Sequence, residues 1–496
     1  MLFHSLRAGL HVLCFHRLQS AAITALLLLL LGSCGPAPTL DDLEDTSVPV
    51  NIVYILADDL GYGDLSCYGQ QHFSTPNIDR LARRGMLFTQ HYSGSTVCAP
   101  SRSSLMTGLH TGHTFIRGNK AMDPEGQYPI PDSIYTLAEL LQDNGYATGA
   151  FGKWGLGPPA STGDPNNQGF TDFFGYNCQR LAHNYYPRHL WDNQQKMELP
   201  GNAGRAKEIY APDLIHEQAL AFITENRDRP FFLFYPSQLP HAELAAADSL
   251  VTMFAEQFGN ETPYRGTDDG PRYREGPYES AARPHAAFAA MVTTLDQQVG
   301  QILDTLEALG LTDHTLVVFT SDNGPHLEGG ADPDFFDSNG PLRGYKRDLY
   351  EGGIRVPMIA SLPGRIAPGR TDHVSAFWDV FPTLAELIGV APPDSLDGLS
   401  FLPTLEGRTA DQRQHGYLYW EFHERGGRQA VRAGRWKGVR YDVFADPDGP
   451  LELYDLNQDI GETTDVADAH PDVVEELKAI LRNARTPSAV FPFGAR

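Results

Sequence analysis

Asn51-Ile-Val-Tyr-Ile-Leu-Ala57, followed at once by Asp58-Asp59-Leu-Gly-Tyr-Gly63, decides the fold. After Asn51 the run is continuously apolar, too short for a buried helix, and ends in acidic and glycine residues. That is the pattern of a central strand covered on both faces. Three more runs repeat it: 147–151 leads into Gly152-Lys153, 231–235 into a loop with His241, and 316–320 into Ser321-Asp322-Asn323-Gly324. Segments with helical spacing lie between them, at 77–84, 101–107, 135–144, 213–226 and 286–309. Strands alternating with helices predict an α/β fold with a mostly parallel central sheet flanked by helices.

In open sheets of this kind, ligands bind beyond the carboxyl ends of the strands. Asp58, Asp59, Lys153, His241, Asp322 and Asn323 are therefore aimed at one crevice. Each alone has a plain structural reading, Asp-Asp as a helix cap and Ser-Asp-Asn-Gly as a turn. Recurrence at four strand ends is what points to a site. Two adjacent carboxylates, a third carboxylate and an amide oxygen make an all-oxygen donor set, which suits Ca²⁺ or Mg²⁺ rather than zinc. No His-Glu-x-x-His or Cys-His cluster competes with it.

The chain has 496 residues, 62 acidic and 38 basic, for a formal net charge of −24. That balance excludes nucleic acid as a partner. Hydrophobic residues at 41% supply a core and exclude disorder, while 48 Gly and 36 Pro predict many loops around it. The cysteines are too few and too scattered for a disulfide-stapled fold, and Cys67 and Cys178 are expected as free thiols. The first 20 residues carry Arg7 and Arg17 and no acid, and 21–31 is apolar apart from Thr24 but too short to span a bilayer. Leu31-Gly-Ser-Cys34 resembles the lipobox of bacterial lipoproteins, in which the cysteine is acylated after cleavage. Residues 1–33 thus read as a lipoprotein-type signal peptide and 34–48 as a tether. The expectation is an exported protein, in the periplasm or at the outer membrane or cell surface, held to a membrane through lipidated Cys34.

Ser93-Gly-Ser-Thr-Val-Cys98-Ala-Pro-Ser-Arg102-Ser-Ser-Leu-Met-Thr107-Gly108 places a cysteine at a helix start, with Pro100 in the first turn and Arg102 one turn on. The positive field there suits anion chemistry. A small buried cysteine is the plain alternative. Neither a thiol-peptidase signature nor the spacing of a cysteine-dependent phosphatase loop is present.

Cys98-x-Pro-Ser-Arg102-x4-Thr107-Gly108 resembles the first signature of the formylglycine-dependent (type I) sulfatases of the alkaline phosphatase superfamily. Gly145-Tyr-Ala-Thr-Gly-Ala-Phe-Gly-Lys153-Trp154 resembles the second. The likeness continues through Asp58-Asp59, Pro240-His241, Asp322-Asn323-Gly324 and Lys346-x3-Tyr350-Glu351-Gly-Gly353. It implies an alkaline-phosphatase-like fold, a bound Ca²⁺, and conversion of Cys98 to formylglycine by a maturation enzyme. By the same resemblance, Asp58, Asp59, Asp322, Asn323 and an oxygen of residue 98 hold the metal. A hydroxyl of the hydrated formylglycine attacks sulfur with help from Asp322. Lys153 and Lys346 neutralise sulfate oxygens, Arg102 braces residue 98, and His241 protonates the leaving alkoxide. One position departs from the pattern: the second signature often continues Trp-His, whereas Gly155 follows Trp154. That His normally hydrogen-bonds the formylglycine hydroxyl. His113 and His183 are the candidates to replace it, with surface or substrate-contacting imidazoles as the plain reading of both.

The stretch 175–192 is dense in Tyr, Asn, Arg, His and Trp, a mixture that stacks on sugar faces and bonds to hydroxyls. It looks like bacterial carbohydrate sulfatases of the arylsulfatase and N-acetylgalactosamine-6-sulfatase type. A sulfated saccharide is the expected partner, with His183, Asn184, Tyr185 and Arg188 as sugar contacts. The acidic chain steers a polysulfated polymer poorly, which favours small or sparsely sulfated oligosaccharides. Residues 243–285 read as a long polar loop. A sulfatase domain is expected over 49–406 and a smaller α+β subdomain over 407–496, with strands at 414–422 and 435–441 and a helix at 471–482. Two other readings stay open: an aryl sulfatase or phospho- or phosphonate-ester hydrolase of the same superfamily, and a catalytically inactive glycan-binding surface lipoprotein.

Overall fold

The computed structural model describes residues 49–270, 273–274 and 276–493, so the expected signal peptide, tether and Cys34 lie outside the described residues. Eleven strands form one mixed sheet: β1 (Asn51–Ala57), β2 (Met86–Tyr92), β3 (Ala147–Lys153), β4 (Asp172–Tyr176), β5 (His189–Asp192), β6 (Gln195–Glu198), β7 (Phe231–Pro236), β8 (Thr315–Ser321), β9 (Arg355–Ser361), β10 (Gly369–Thr371) and β11 (Ser375–Ala376). Their order is β10-β2-β9-β8-β1-β7-β3-β4-β5-β6, with β11 beside β2. The five central strands, β8-β1-β7-β3-β4, are all parallel, and β9 runs antiparallel to both its neighbours.

β1, β7 and β8 are buried at every residue, which is what their continuous apolar runs require. Val53, Ile55, Leu233 and Phe319 face one layer, with helices α1 (Pro76–Arg84), α4 (Ala211–Glu225) and α6 (Pro284–Ala308). Ile52, Tyr54, Phe234 and Val318 face the other, with α2 (Cys98–Thr107), α3 (Leu137–Asp143) and α7 (Val380–Leu387). The fold is therefore α/β, a mostly parallel sheet between two helical layers, as the alternation predicts.

The expected loop at 243–285 is partly helical. α5 (Asp248–Phe258) occupies 11 residues of it, and Leu250, Phe254 and Phe258 pack on the first layer at i, i+4, i+8 spacing. That weak stripe is the signal the polar composition hides. The last part of the chain is a second, antiparallel sheet of β12 (Leu418–Phe422), β13 (Arg428–Ala433), β14 (Trp436–Arg440) and β15 (Glu452–Asp455). Its residues alternate in direction: Tyr419, Val431 and Leu453 take α8 (Pro471–Asn483), while Trp420, Phe422 and Val439 pack on Tyr92 and Trp378. Beneath it lies a buried ion cluster, with Lys437 Nζ 2.8 Å from Glu351 and 3.3 Å from Glu462. Cys67, Cys98 and Cys178 are free. No helix among the described residues is long and apolar enough to cross a membrane.

Candidate active site

The carboxyl ends of β1 and β8 interlock. Asp322 N–H donates to Ala57 O (3.0 Å), Asp59 N–H to Asp322 Oδ1 (3.1 Å), and Asn323 Nδ2 to Asp59 Oδ1 (2.7 Å). Asp59 takes a left-handed φ of 63°, which short polar side chains tolerate best and which turns the chain directly after the strand. A second contact fixes the turn after Asn323: a Cβ on Gly324 would stand 1.9 Å from Gly352 O, and only glycine admits that approach.

α2 begins at Cys98 and all ten of its residues are buried. Cys98 Sγ lies 3.4 Å from Asp58 Oδ1 and 3.2 Å from Lys153 Nζ. One turn along, Arg102 donates to Asp322 Oδ2 from Nη2 (2.8 Å) and Nε (3.1 Å), and to Lys153 O from Nη1. Lys153, at the end of β3, reaches Asp58 Oδ2 at 2.5 Å. Opposite, Lys346 Nζ sits 2.8 Å from Asp59 Oδ2 and 3.0 Å from His241 Nε2. His241 Nδ1 donates to Ala242 O, which leaves Nε2 facing Lys346 and Asp59. Nine residues predicted from sequence thus converge: Asp58, Asp59, Cys98, Arg102, Lys153, His241, Asp322, Asn323 and Lys346.

Three carboxylates with no exposed surface face three buried cations. Burial and then Asp58 push the Asp322 carboxyl up to about 7. Burial opposes ionisation of Asp59 as well, but Lys346 and neighbouring cationic groups hold its carboxyl far below the ordinary range. Burial and Asp58 raise the Cys98 thiol, so as a plain thiol it is a poor nucleophile at neutral pH. Burial and Lys346 keep His241 well below its usual value.

The donor set fits a hard divalent cation. Asn323 Oδ1 is buried with no hydrogen-bond partner, beside carboxylates of Asp59 and Asp322. Asp58, Asp59, Cys98 and His241 offer ligand atoms within 4.8 Å of one another. An orphaned amide oxygen among carboxylates that repel one another is relieved by a cation taking oxygen ligands.

The expected sugar contacts divide. His183 is at the site: its ring stacks on His241 with centroids 4.8 Å apart, its Nδ1 is 2.9 Å from Gly276 O, and burial and Lys153 lower it to about 4. Asn184 and Tyr185 are buried in the wall behind it, and Asn184 Nδ2 donates to Leu181 O at 3.3 Å. Tyr185 Oη donates to Gln238 O (2.8 Å) and His241 O (2.7 Å), holding the His241 loop. Arg188 is exposed and lines a separate groove with Arg180, His189 and Lys196. His113 does not stand in for the missing imidazole, being stacked on His110 and paired with Asp397 Oδ1 at 2.8 Å. Sequence reading missed His326, Glu328 and Tyr278. Glu328 lies 3.9 Å from Lys346, His326 stacks against His241, and Tyr278 covers His183 with centroids 5.1 Å apart. The first two follow Asn323-Gly-Pro closely enough to have been suspected; Tyr278, within the polar stretch, carried no signal.

Residues 50–390 match the sulfatase family model, and residues 344–486 match the model described as N-sulphoglucosamine sulphohydrolase, C-terminal. The chain belongs to the sulfatase family. This sulfatase is a sulfuric ester hydrolase. It is 35% identical to arylsulfatase A of Homo sapiens, with 89% of each chain covered. It is 29% identical to N-acetylgalactosamine-6-O-sulfatase of Bacteroides thetaiotaomicron, covering 92% of this chain and 97% of the other. Among solved structures, Ps i-CgsB in complex with k-i-k-neocarrahexaose superposes with a TM-score of 0.71 at 27% identity, covering 88% of this chain and 93% of that one.

Proposed function

We propose that this sulfatase removes O-sulfate from a carbohydrate, with a formylglycine made from Cys98 and a bound Ca²⁺. The observation that carries the reading is the position of residue 98, at a buried helix start between Asp58 and Lys153 and next to an orphaned amide oxygen and three carboxylates. When present, the cation supplies Lewis acidity toward a sulfate oxygen and the hydrated aldehyde supplies an oxygen nucleophile. Asp58, Asp59, Asp322 and Asn323 would hold the cation through oxygen atoms. Lys153 and Lys346 present fixed ammonium groups to the sulfate oxygens, in a site dry enough for such charges to act strongly. Arg102 keeps Asp322 oriented toward residue 98. His241 Nε2 accepts from Lys346 Nζ at 3.0 Å, so the proton for the leaving sugar oxygen comes from this Lys346–His241 pair, with the ammonium as its source.

The Bacteroides relative named N-acetylgalactosamine-6-O-sulfatase and the neocarrahexaose complex support a carbohydrate substrate. His183, stacked on His241, is the residue through which a sugar hydroxyl next to the ester is read. The 35% identity with arylsulfatase A favours the second reading, an aryl sulfatase. In the same proposal the leader directs export and Cys34 carries a lipid, so the enzyme works outside the cytoplasm on saccharides, after a maturation enzyme has converted Cys98.

Measured kcat/KM on sulfated monosaccharides and oligosaccharides, 4-nitrophenyl sulfate and a phosphonate monoester separates the readings. Preference for a sulfated sugar is expected, and preference for the aryl ester or the phosphonate overturns it. Binding without turnover of any ester points to the inactive glycan binder. Mass spectrometry of the tryptic peptide containing Cys98 tests the nucleophile: an unmodified thiol in an active enzyme refutes it.

A further inference from the structure

β3 and β4 pair up to Lys153 opposite Tyr176, and the two chains then continue side by side past the carboxyl edge of the sheet. Trp154 N–H donates to Tyr176 O (2.8 Å) and Gly155 N–H to Asn177 O (3.2 Å). Two residues beyond Lys153, whose ammonium touches residue 98, the chain thus meets the segment that leads to His183. Gly155 has a φ of +88°, and a Cβ placed on it would lie 1.9 Å from Gln179 Nε2 and 2.9 Å from Gln179 Cδ. The Gln179 carboxamide therefore fills the space into which a side chain at position 155 would grow.

That carboxamide has nothing to bond. Gln179 is 6% exposed, yet neither Oε1 nor Nε2 has a hydrogen-bond partner. Asn177 has no exposed surface, and its Oδ1 and Nδ2 are likewise unpartnered. Asn184 Oδ1 and Gln238 Oε1 in the same wall are also unpartnered, but each of those amides is bonded at its other end, Asn184 Nδ2 to Leu181 O and Gln238 Nε2 to Asn184 O, whereas Asn202 is satisfied at both. A buried polar group left without a partner destabilises the fold. Two side chains two residues apart with neither end of the carboxamide bonded to protein, at the end of a strand where ligands bind, are groups open to a ligand. Their chemistry names its class. A carboxamide presents one acceptor and a pair of donors without charge, which matches vicinal hydroxyls and offers no charge to a sulfate. The backbone of Gln179 is fixed, its N–H donating to Gln127 Oε1 at 2.7 Å.

We infer that Asn177 and Gln179 form a neutral amide subsite for hydroxyls of the sulfated sugar, and that Gly155 is glycine because Gln179 occupies its side-chain space. The inference rests on the carbohydrate reading above. It makes Gln179 a specificity residue, unable to take up a proton at neutral pH and so no substitute for an imidazole base.

Gln179→Leu is the decisive variant, because an apolar side chain of similar volume removes the unpaired amide. A structural amide and a ligand-reading amide then respond oppositely. The expected result is an unchanged or higher Tm, with kcat/KM on the sulfated sugar lowered about tenfold to hundredfold, mainly through KM. The desulfated sugar, titrated calorimetrically, should bind correspondingly less tightly. Gly155→Ala should lower the ratio of sugar to aryl sulfate kcat/KM in the same direction, since its methyl group displaces the amide. If Gln179→Leu does not fold, Gln179→Met, which keeps the chain length, takes its place. A Tm lowered by several degrees, or a sugar kcat/KM within about twofold of wild type, overturns the inference. Failure of the carbohydrate reading is seen separately, in a wild-type enzyme that prefers aryl sulfates to every sulfated sugar.

Discussion

Glu243 ties three segments of the site wall together. Its carboxyl accepts from Tyr185 N–H at 3.3 Å and Glu279 N–H at 3.2 Å, and its own N–H donates to His183 O at 3.2 Å. It is 2% exposed, and burial followed by Glu279 raises its carboxyl from 4.5 to about 7. The folded state therefore holds the Glu243 proton more tightly than the unfolded chain does. Its stabilisation is fully present below about pH 4.5 and is lost as pH rises through about 7. At roughly 1.4 kcal/mol per pH unit, a carboxyl moved from 4.5 to about 7 accounts for about 3 kcal/mol. In a chain of this size about 1 kcal/mol moves Tm by about 1 °C, so the effect on Tm is about 3 °C. Glu243→Gln keeps the shape and cannot titrate. Thermal melts of wild type and variant from about pH 5 to about pH 8.5 isolate the effect, because Asp64, Asp322 and Glu462, also raised to about 7, cancel in the difference. Wild-type Tm minus variant Tm should fall by about 3 °C across that range. A flat difference, or one that rises with pH, refutes the reasoning.

Four further outcomes follow from the same geometry. Asn323→Ala removes the unpartnered buried oxygen, and calorimetry should show Ca²⁺ affinity lowered roughly tenfold or more. Cys98→Ser should fold with nearly unchanged Tm yet lose turnover by roughly a thousandfold or more, measured on the best sulfated sugar. His241→Ala should lower kcat by about a hundredfold to ten-thousandfold on sugar sulfates, and by much less on 4-nitrophenyl sulfate, whose leaving group needs no proton. Lys437→Met strands Glu351 and Glu462 in the interior and should cost about 3–5 kcal/mol, read as a lower denaturation midpoint.

What the sequence by itself determined is the set of residues written at strand ends. An apolar run buried on both faces is a local pattern, and the residue that follows it must emerge at the sheet's carboxyl edge. Asp58, Asp59, Lys153, Asp322 and Asn323 could be named for that reason, as could Cys98 and Arg102 from a motif contained within one helix. The oxygen donor set, which suits a hard divalent cation, followed from residue type alone. Only the tertiary structure decided what lies in irregular loops, where no period tells a side chain which way to point. It turned Asn184 and Tyr185 inward under the His241 loop, tied His113 to an Asp397 far away in sequence, and set Gln179 against Gly155. It also brought Tyr278 over His183 from a stretch whose polar composition resembled an open loop. Those positions depend on long-range packing between segments, and packing is a property of the assembled chain rather than of any window of sequence.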